Sequence, residues 1–258
     1  MKALTLCALL LPLSALADSP FDGTWVSKEE TATMDKKPYV ISLANGVWHS
    51  ESAVPPIKVK ADGTDQPVKG HPYYDTIAVK SSGPDGVELT SKKAGKASGT
   101  ATYTLSADGK TLTLKWTDQT GTEAASGETV YERVKAAPAG AHAVSGSWRA
   151  VKVQNLTANA RTLTFKSTAD GLRMSTPTGQ SYTAKFDGKE FPVAGDPGGT
   201  TVALKRVDAN TIVETDRRDG KVVEVDRWTV APDGKTLKVE WETKDTKRKG
   251  SYVMEKSP

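Results

Sequence analysis

The chain is written twice, and this duplication limits what it can fold into. Asp62-Gly63, Pro67-Val68, Gly70 and Pro72 return as Asp187-Gly188, Pro192-Val193, Gly195 and Pro197, and nine of the 19 positions from 62 to 80 are identical at a shift of 125 residues. At the same shift Asp108-Gly109-Lys110-Thr111-Leu112 matches Asp233-Gly234-Lys235-Thr236-Leu237, and Trp116 matches Trp241. The ends match at a shift of 123: Gly23-Thr24-Trp25 with Gly146-Ser147-Trp148, and Val130-Tyr131-Glu132-Arg133 with Val253-Met254-Glu255-Lys256. Solenoid and propeller units run ~20–50 residues, so a repeat this long is a duplicated domain. Residues present in both halves serve the fold. Residues that differ are where separate functions can sit.

Each half carries a β pattern. Lys110–Thr117 alternates polar and apolar with period two, as does Lys235–Glu242. Strands of this kind bury one face and wet the other. Asn45-Gly46, Asp62-Gly63, Asp85-Gly86, Asp108-Gly109, Asp170-Gly171, Asp187-Gly188, Asp219-Gly220 and Asp233-Gly234 punctuate the pattern with pairs that suit tight hairpins. In the first half the spacing predicts strands near 23–30, 38–44, 47–52, 57–60, 74–81, 86–91, 99–106 and 110–117, with a closing strand near 127–134. An open sheet of about eight strands exposes two edges, and closing it into a barrel removes them. The expectation is all-β: two tandem antiparallel up-and-down barrels, over 18–135 and 144–258. The small, Pro-containing stretch 136–143 reads as a linker between them.

Residues 1–17 read as a secretory signal peptide, with Lys2 as the charged start, Leu4–Leu13 as the apolar stretch and Ala15-Leu16-Ala17 as the cleavage site. The chain is therefore expected in the periplasm or secreted. Its one cysteine, Cys7, lies in this segment, so the mature chain is cysteine-free and has neither disulfides nor thiol chemistry. No other stretch approaches the ~18 apolar residues of a membrane helix, so no membrane span is expected.

Charge divides unevenly. Residues 18–135 hold 14 basic and 16 acidic residues, net −2, and residues 136–258 hold 20 and 15, net +5. Eight of the nine arginines fall in the second half. Acidic residues are interleaved with basic ones throughout, which argues against a nucleic-acid partner.

The layout resembles the calycins, the group that includes lipocalins and fatty-acid-binding proteins. Those barrels open with Gly-x-Trp on the first strand and end on a strand whose basic residue packs over that tryptophan. Phe21-Asp22-Gly23-Thr24-Trp25 and Val144-Ser145-Gly146-Ser147-Trp148 supply the openings, and Arg133 and Lys256 the closing cations. The resemblance implies Arg133 on Trp25 and Lys256 on Trp148, each favourable by about 0.5–2 kcal/mol. It also implies a barrel that is either filled or holds one small ligand. The lid helices of fatty-acid-binding proteins and the C-terminal helix of lipocalins have no counterpart here.

On that reading the inward aromatics wall a pocket or fill a core: Trp48, Tyr103 and Trp116 in the first half, Trp228 and Trp241 in the second. Trp48 is aligned with Arg173, and Thr102 with Arg227, so these mismatched positions are candidates for ligand differences. An inward Arg227 would meet a ligand carboxylate. His71-Pro72-Tyr73-Tyr74 interrupts a matched stretch, and Tyr74 is a further candidate for a pocket rim or a partner surface. Three scattered histidines make no metal site. No Gly-x-Ser-x-Gly, His-Glu-x-x-His or Walker motif occurs. The sequence thus points to a non-enzymatic exported binder of a small hydrophobic or amphipathic ligand, with no cofactor. The alternative is a pair of filled barrels that contact another envelope protein through their variable loops.

Overall fold

The computed structural model describes residues 19–258, so the signal-peptide reading lies outside the described residues. The described chain is all-β, with a single 3-10 turn at Ala158–Ala160 and no α-helix. No helix among the described residues is long and apolar enough to cross a membrane. Twenty strands form two nearly closed antiparallel sheets of ten strands each, rather than eight.

Barrel one is a continuous stretch of chain. It contains β2 (Tyr39–Ala44), β3 (Val47–Ser50), β4 (Ile57–Lys60), β5 (Gln66–Pro67), β6 (Thr76–Ser81), β7 (Gly86–Lys93), β8 (Lys96–Leu105), β9 (Thr111–Asp118), β10 (Ala125–Ala136) and β11 (Gly146–Gln154). Barrel two contains β12 (Thr162–Ser167), β13 (Gly171–Ser175), β14 (Ser181–Lys185), β15 (Glu190–Pro192), β16 (Thr201–Arg206), β17 (Thr211–Arg218), β18 (Lys221–Val230), β19 (Thr236–Thr243) and β20 (Lys249–Lys256). Its tenth strand is β1 (Gly23–Met34), which lies between β12 and β20.

The structural frame is therefore shifted by one strand from the sequence repeat. The stretch 136–143 does not link two barrels, because it connects β10 to β11 inside barrel one. The chain crosses between the sheets at 35–38 and again at 155–161. The Gly-x-Trp strand of the second repeat, β11, follows β10 closely enough to pair with it as a sequential antiparallel neighbour. That leaves β1 to close barrel two against the C-terminal strand, with Trp25 opposite Lys256.

The cation–tryptophan pairs shift with the frame. Arg133 lies 4.1 Å from the Trp148 ring centroid, and the Lys256 ammonium 5.1 Å from that of Trp25. This reverses the partners implied by the calycin resemblance. Both indoles are fully buried, and each N–H donates to a carbonyl four residues earlier: Trp25 to Phe21 at 2.8 Å and Trp148 to Val144 at 3.0 Å. Arg133 also donates to the carbonyls of Gly109, Ser145 and Ala143 at 2.6–2.8 Å. It thereby ties three segments across the closed end of barrel one. Gly23 and Gly146 have φ of 128° and 144°, a region that disfavours side chains. A Cβ on Gly23 would sit 2.8 Å from the Lys256 side chain, so glycine there makes room for the cation.

Two clusters make up the cores. Barrel one buries Ile41, Leu43, Trp48, Val79, Val87, Leu105, Leu112 and Trp148. Barrel two buries Phe21, Trp25, Phe165, Leu172, Leu204, Ile212, Trp228, Leu237 and Val239. The barrels touch where Arg248 donates to the carbonyls of Lys37 and Pro38 at 2.8 and 2.9 Å and meets Asp35 at 3.3 Å. Arg248 thus braces the first crossing segment.

The shifted frame is testable by double-mutant cycles on urea unfolding. Arg133→Ala is expected to cost about 3 kcal/mol, since it removes three charge-assisted hydrogen bonds and a cation–π contact. Arg133→Ala and Trp148→Phe should couple by about 1 kcal/mol, whereas Arg133→Ala and Trp25→Phe should be additive. Coupling to Trp25 instead would restore the frame read from the repeat.

Candidate functional site

Both barrels are plugged alike at the closed end and differ at the open end. The strand register shows how. Leu43 faces Trp48, and Phe165 faces Met174. Ile41 and Phe165 both face the glycine of a Gly-x-Trp strand, Gly146 and Gly23. Ile41 pairs with Ser50 and Phe165 with Met174, so Ser50 and Met174 are equivalent. Counting back two residues from each, Trp48 is equivalent to Leu172 and not to Arg173. Both are inward and fully buried. The alignment with Arg173 was one residue out of register, and a one-residue slip in a strand turns a side chain to the opposite face. Arg173 is exposed on the outside of β13. Arg227 likewise points outward, where it pairs with Glu240 across β18 and β19. Neither arginine reaches a barrel interior.

The aromatic candidates fall into two groups. Trp48, Tyr103 and Trp228 are core. Trp48 packs at 5.5 Å from Tyr103, and Trp228 stands edge-on to Phe165 at 5.2 Å. The Tyr103 hydroxyl bonds that of Tyr39 at 2.8 Å, and burial pushes both phenols above their ordinary range. Trp116, Trp241 and Tyr74 are half-buried near the open ends. Trp116 and Trp241 each lie against a glycine of the next strand, Gly127 and Gly250. A Cβ on either glycine would sit 2.8 or 2.7 Å from the indole. The repeat thus keeps a glycine beside a slanted indole in both barrels.

The open end of barrel one contains a cavity of about 510 Å³ whose wall includes Ile57, Tyr74, Ile77, Leu89, Ala101 and Trp116. A second cavity, about 660 Å³, lies between the barrels and includes Tyr39, Trp116, Tyr131, Leu163, Trp241 and Tyr252 in its wall. Trp116, Asp118, Thr120 and Gln180 line both, so the two spaces adjoin. Sites that hold small molecules run ~300–1,000 Å³ and are mostly apolar, and both cavities fit that range.

Barrel two fills the same level with acid. Glu214 and Asp216 on β17 and Asp226 on β18 each place a carboxylate oxygen within 4.8 Å of the others. Glu214 faces Asp226 across the strand pair, and Asp216 faces Glu224. The equivalent residues of barrel one, 125 positions earlier, are Leu89, Ser91, Ala101 and Gly99. Tyr182, where barrel one has Ile57, donates a short hydrogen bond to Glu214. Two ionised carboxylates this close repel by about 3–4 kcal/mol at an effective dielectric of ~20. Burial, reinforced by the neighbouring carboxylates, holds Glu214 and Asp216 well above the usual range and pushes Asp226 up to about 9.

The tyrosine loop of barrel one reaches this mouth. Arg218 donates to the Tyr73 hydroxyl at 2.9 Å and to Thr200 at 3.2 Å, with its guanidinium 5.1 Å from the Tyr73 ring. Tyr73 packs so tightly on Gly198 that a Cβ there would sit 2.8 Å from its ring. His71–Tyr74 therefore splits its roles. Tyr73 docks on barrel two, while Tyr74 stacks on His71 at 4.7 Å and faces the cavity of barrel one.

Sequence reasoning missed the acidic cluster. Glu214 and Asp216 alternate along one strand and Asp226 lies across a hairpin, so linear spacing does not join them. Comparing the repeats would have found them, because hydrophobic or small residues become acidic at four matched inward positions. No protein-family model matches the chain, and none of the curated proteins is similar to it.

The cluster sets a pH dependence. The raised carboxyls are protonated in the folded chain at pH values where the unfolded chain has lost those protons. Their contribution is full below about pH 4 and is lost as pH rises through the folded values. The lowered carboxyls Asp62, Asp75 and Asp108 act only in the acid range. In the presence of a chelator the thermal midpoint should fall from pH 5 to pH 9. In the variant Glu214→Leu/Asp216→Ser/Asp226→Ala that fall should flatten. A midpoint that rises over this range would contradict the account.

Proposed function

We propose that this chain is an exported, non-enzymatic binding protein that carries one small apolar or amphipathic ligand in the open end of barrel one. The observation that carries this reading is the cavity of about 510 Å³ walled by Ile57, Ile77, Leu89, Ala101, Tyr74 and Trp116. The second barrel fills the equivalent level with carboxylates, so the hollow is a property of this barrel and not of the fold. Trp116 offers an aromatic face and Tyr74, whose hydroxyl is hydrogen-bonded with His71 Nδ1 at 3.2 Å, a polar edge, which suits a ligand with an apolar body and a polar end. The adjoining inter-barrel cavity gives a longer ligand room to extend past Trp116. The calycin resemblance supports the same reading, since those barrels carry small apolar molecules. The signal-peptide pattern of the sequence supports a function outside the cytoplasm.

The alternative, a pair of filled barrels meeting an envelope partner through the 70–75 loop, has less support. Tyr73 of that loop is already engaged by Arg218 and Gly198 of the same chain.

The test is displacement of a solvent-sensitive apolar dye, with native mass spectrometry of protein purified from its own host. Ala101→Asp places in barrel one the carboxylate that barrel two already has at the matching position. It is expected to leave the β spectrum intact and to weaken dye binding at least tenfold, because a buried unpaired charge opposes an apolar ligand. Trp116 fluorescence should shift on binding in the wild type only. Unchanged binding in Ala101→Asp would remove barrel one as the site.

A further inference from the structure

We propose that the interior of barrel two holds a divalent, oxygen-seeking cation, best matched by calcium, between Glu214, Asp216 and Asp226.

Three carboxylate oxygens, one from each residue, lie within 4.8 Å of one another. Unlike a surface acidic patch, Glu214 and Asp226 are buried, at 6% and 8% exposure, and Asp216 is half-buried beside them. A second observation points to a missing partner. Asp226 is aimed at the other two carboxylates, and no described residue donates a hydrogen bond to it. Asp216 Oδ1 is also completely enclosed and unpartnered. Arg218 acts on Asp216 through its charge, but its described hydrogen bonds go to Tyr73 and Thr200. A buried carboxylate ordinarily has a partner, because leaving it without one is costly.

The donor set determines the kind of ion. All the donors are hard oxygens, with neither sulfur nor imidazole among them, which selects calcium, magnesium or manganese over zinc or copper. Oxygens on opposite sides of an ion are separated by twice the metal–oxygen distance, about 4.6–5.2 Å for calcium and about 4.0–4.2 Å for magnesium. Three oxygens spread by up to 4.8 Å must close in less around calcium than around the smaller magnesium. Glu224, opposite Asp216, stands ready as a further oxygen ligand, and the Tyr182 hydroxyl holds Glu214 in place. Tyr252 on β20, Asp196, Asp245 and Arg218 are the further titratable or charged groups around these carboxyls. A carboxylate binds a cation only when deprotonated, so calcium should bind more tightly as pH rises.

The fold does not require these acids. Barrel one builds the same level from Leu89, Ser91 and Ala101, so the variant Glu214→Leu/Asp216→Ser/Asp226→Ala is a design that the architecture already uses. The experiment titrates chelator-stripped wild type with calcium chloride by calorimetry at pH 7.5, and with terbium chloride by luminescence. Trp228 is two residues from Asp226 on the same inward face of β18 and serves as the antenna. One calcium per chain is expected, with indole-sensitised terbium emission that calcium displaces. The unfolding midpoint should rise by about 5–10 °C at a hundredfold excess over Kd. The triple variant should lose the ion and the emission while keeping its β spectrum. Asp226→Asn should weaken calcium at least tenfold, which keeps the test decisive if the triple variant does not fold. Absence of uptake of calcium, magnesium or manganese by the wild type would overturn the proposal, as would undiminished calcium binding by Asp226→Asn. Tighter binding of magnesium than calcium would overturn the assignment of the ion.

Discussion

The closure of barrel two by the N-terminal strand is the constraint on which the rest depends. Barrel one is made from residues 39–154 without interruption, but barrel two cannot close until β1 pairs with both β12 and β20. The chain thereby joins its own two ends, Trp25 beside Lys256. This contact spans almost the whole chain, so it forms at the highest loop-closure cost in the molecule. It also removes an exposed edge from each of the two strands flanking β1, which an unclosed sheet would leave free for pairing with other molecules. The segment 35–38 must then pass from one barrel to the other. Arg248 holds it through two backbone carbonyls and Asp35, which fixes the barrels against each other.

Local structure was legible in the sequence because it depends on local physics. Alternation at Lys110–Thr117 and positive-φ pairs such as Asn45-Gly46 mark strands and turns that the structure reproduces to within four residues, apart from the two-residue β5, which carries no such pattern. The repeat also exposed the tryptophan and cation that plug each closed end. It could not show which cation meets which tryptophan, since Gly23–Trp25 and Gly146–Trp148 have the same local pattern. The choice is topological: β11 pairs back onto β10, the strand before it in the chain, whereas β1 pairs with β20 at the far end of the chain and not with β2, which follows it. The Trp48 assignment failed for a related reason. One residue is gained between β13 and β14 relative to β3 and β4, since Ser50 to Ile57 spans seven positions and Met174 to Tyr182 eight, and a sequence shift held constant across that point inverts every side chain before it.

The two interiors diverge in chemistry while the frame around them stays constant. Leu89, Ser91, Gly99 and Ala101 leave room in barrel one, where Glu214, Asp216, Glu224 and Asp226 bring charge into barrel two. Tyr73 connects the two ends. It leaves a loop at the mouth of barrel one and is gripped by Arg218 at the mouth of barrel two. The adjacent Tyr74 faces the cavity. A change at either mouth therefore acts on neighbouring residues of one short loop.

Each of these features opposes stability in its own way. A hollow forfeits the dispersion contacts that a filled core would make, and clustered buried carboxylates lose hydration while repelling one another. A barrel serving only as a scaffold would show neither, and both closed ends are in fact densely packed around a fully buried indole. Destabilising features confined to the open ends, and of a different kind at each, are what separate functional demands on two copies of one fold would leave. They also explain why the chain needs its long-range closure. With no cysteine after Cys7 to form a staple, β1 is the element that compensates for two imperfect interiors.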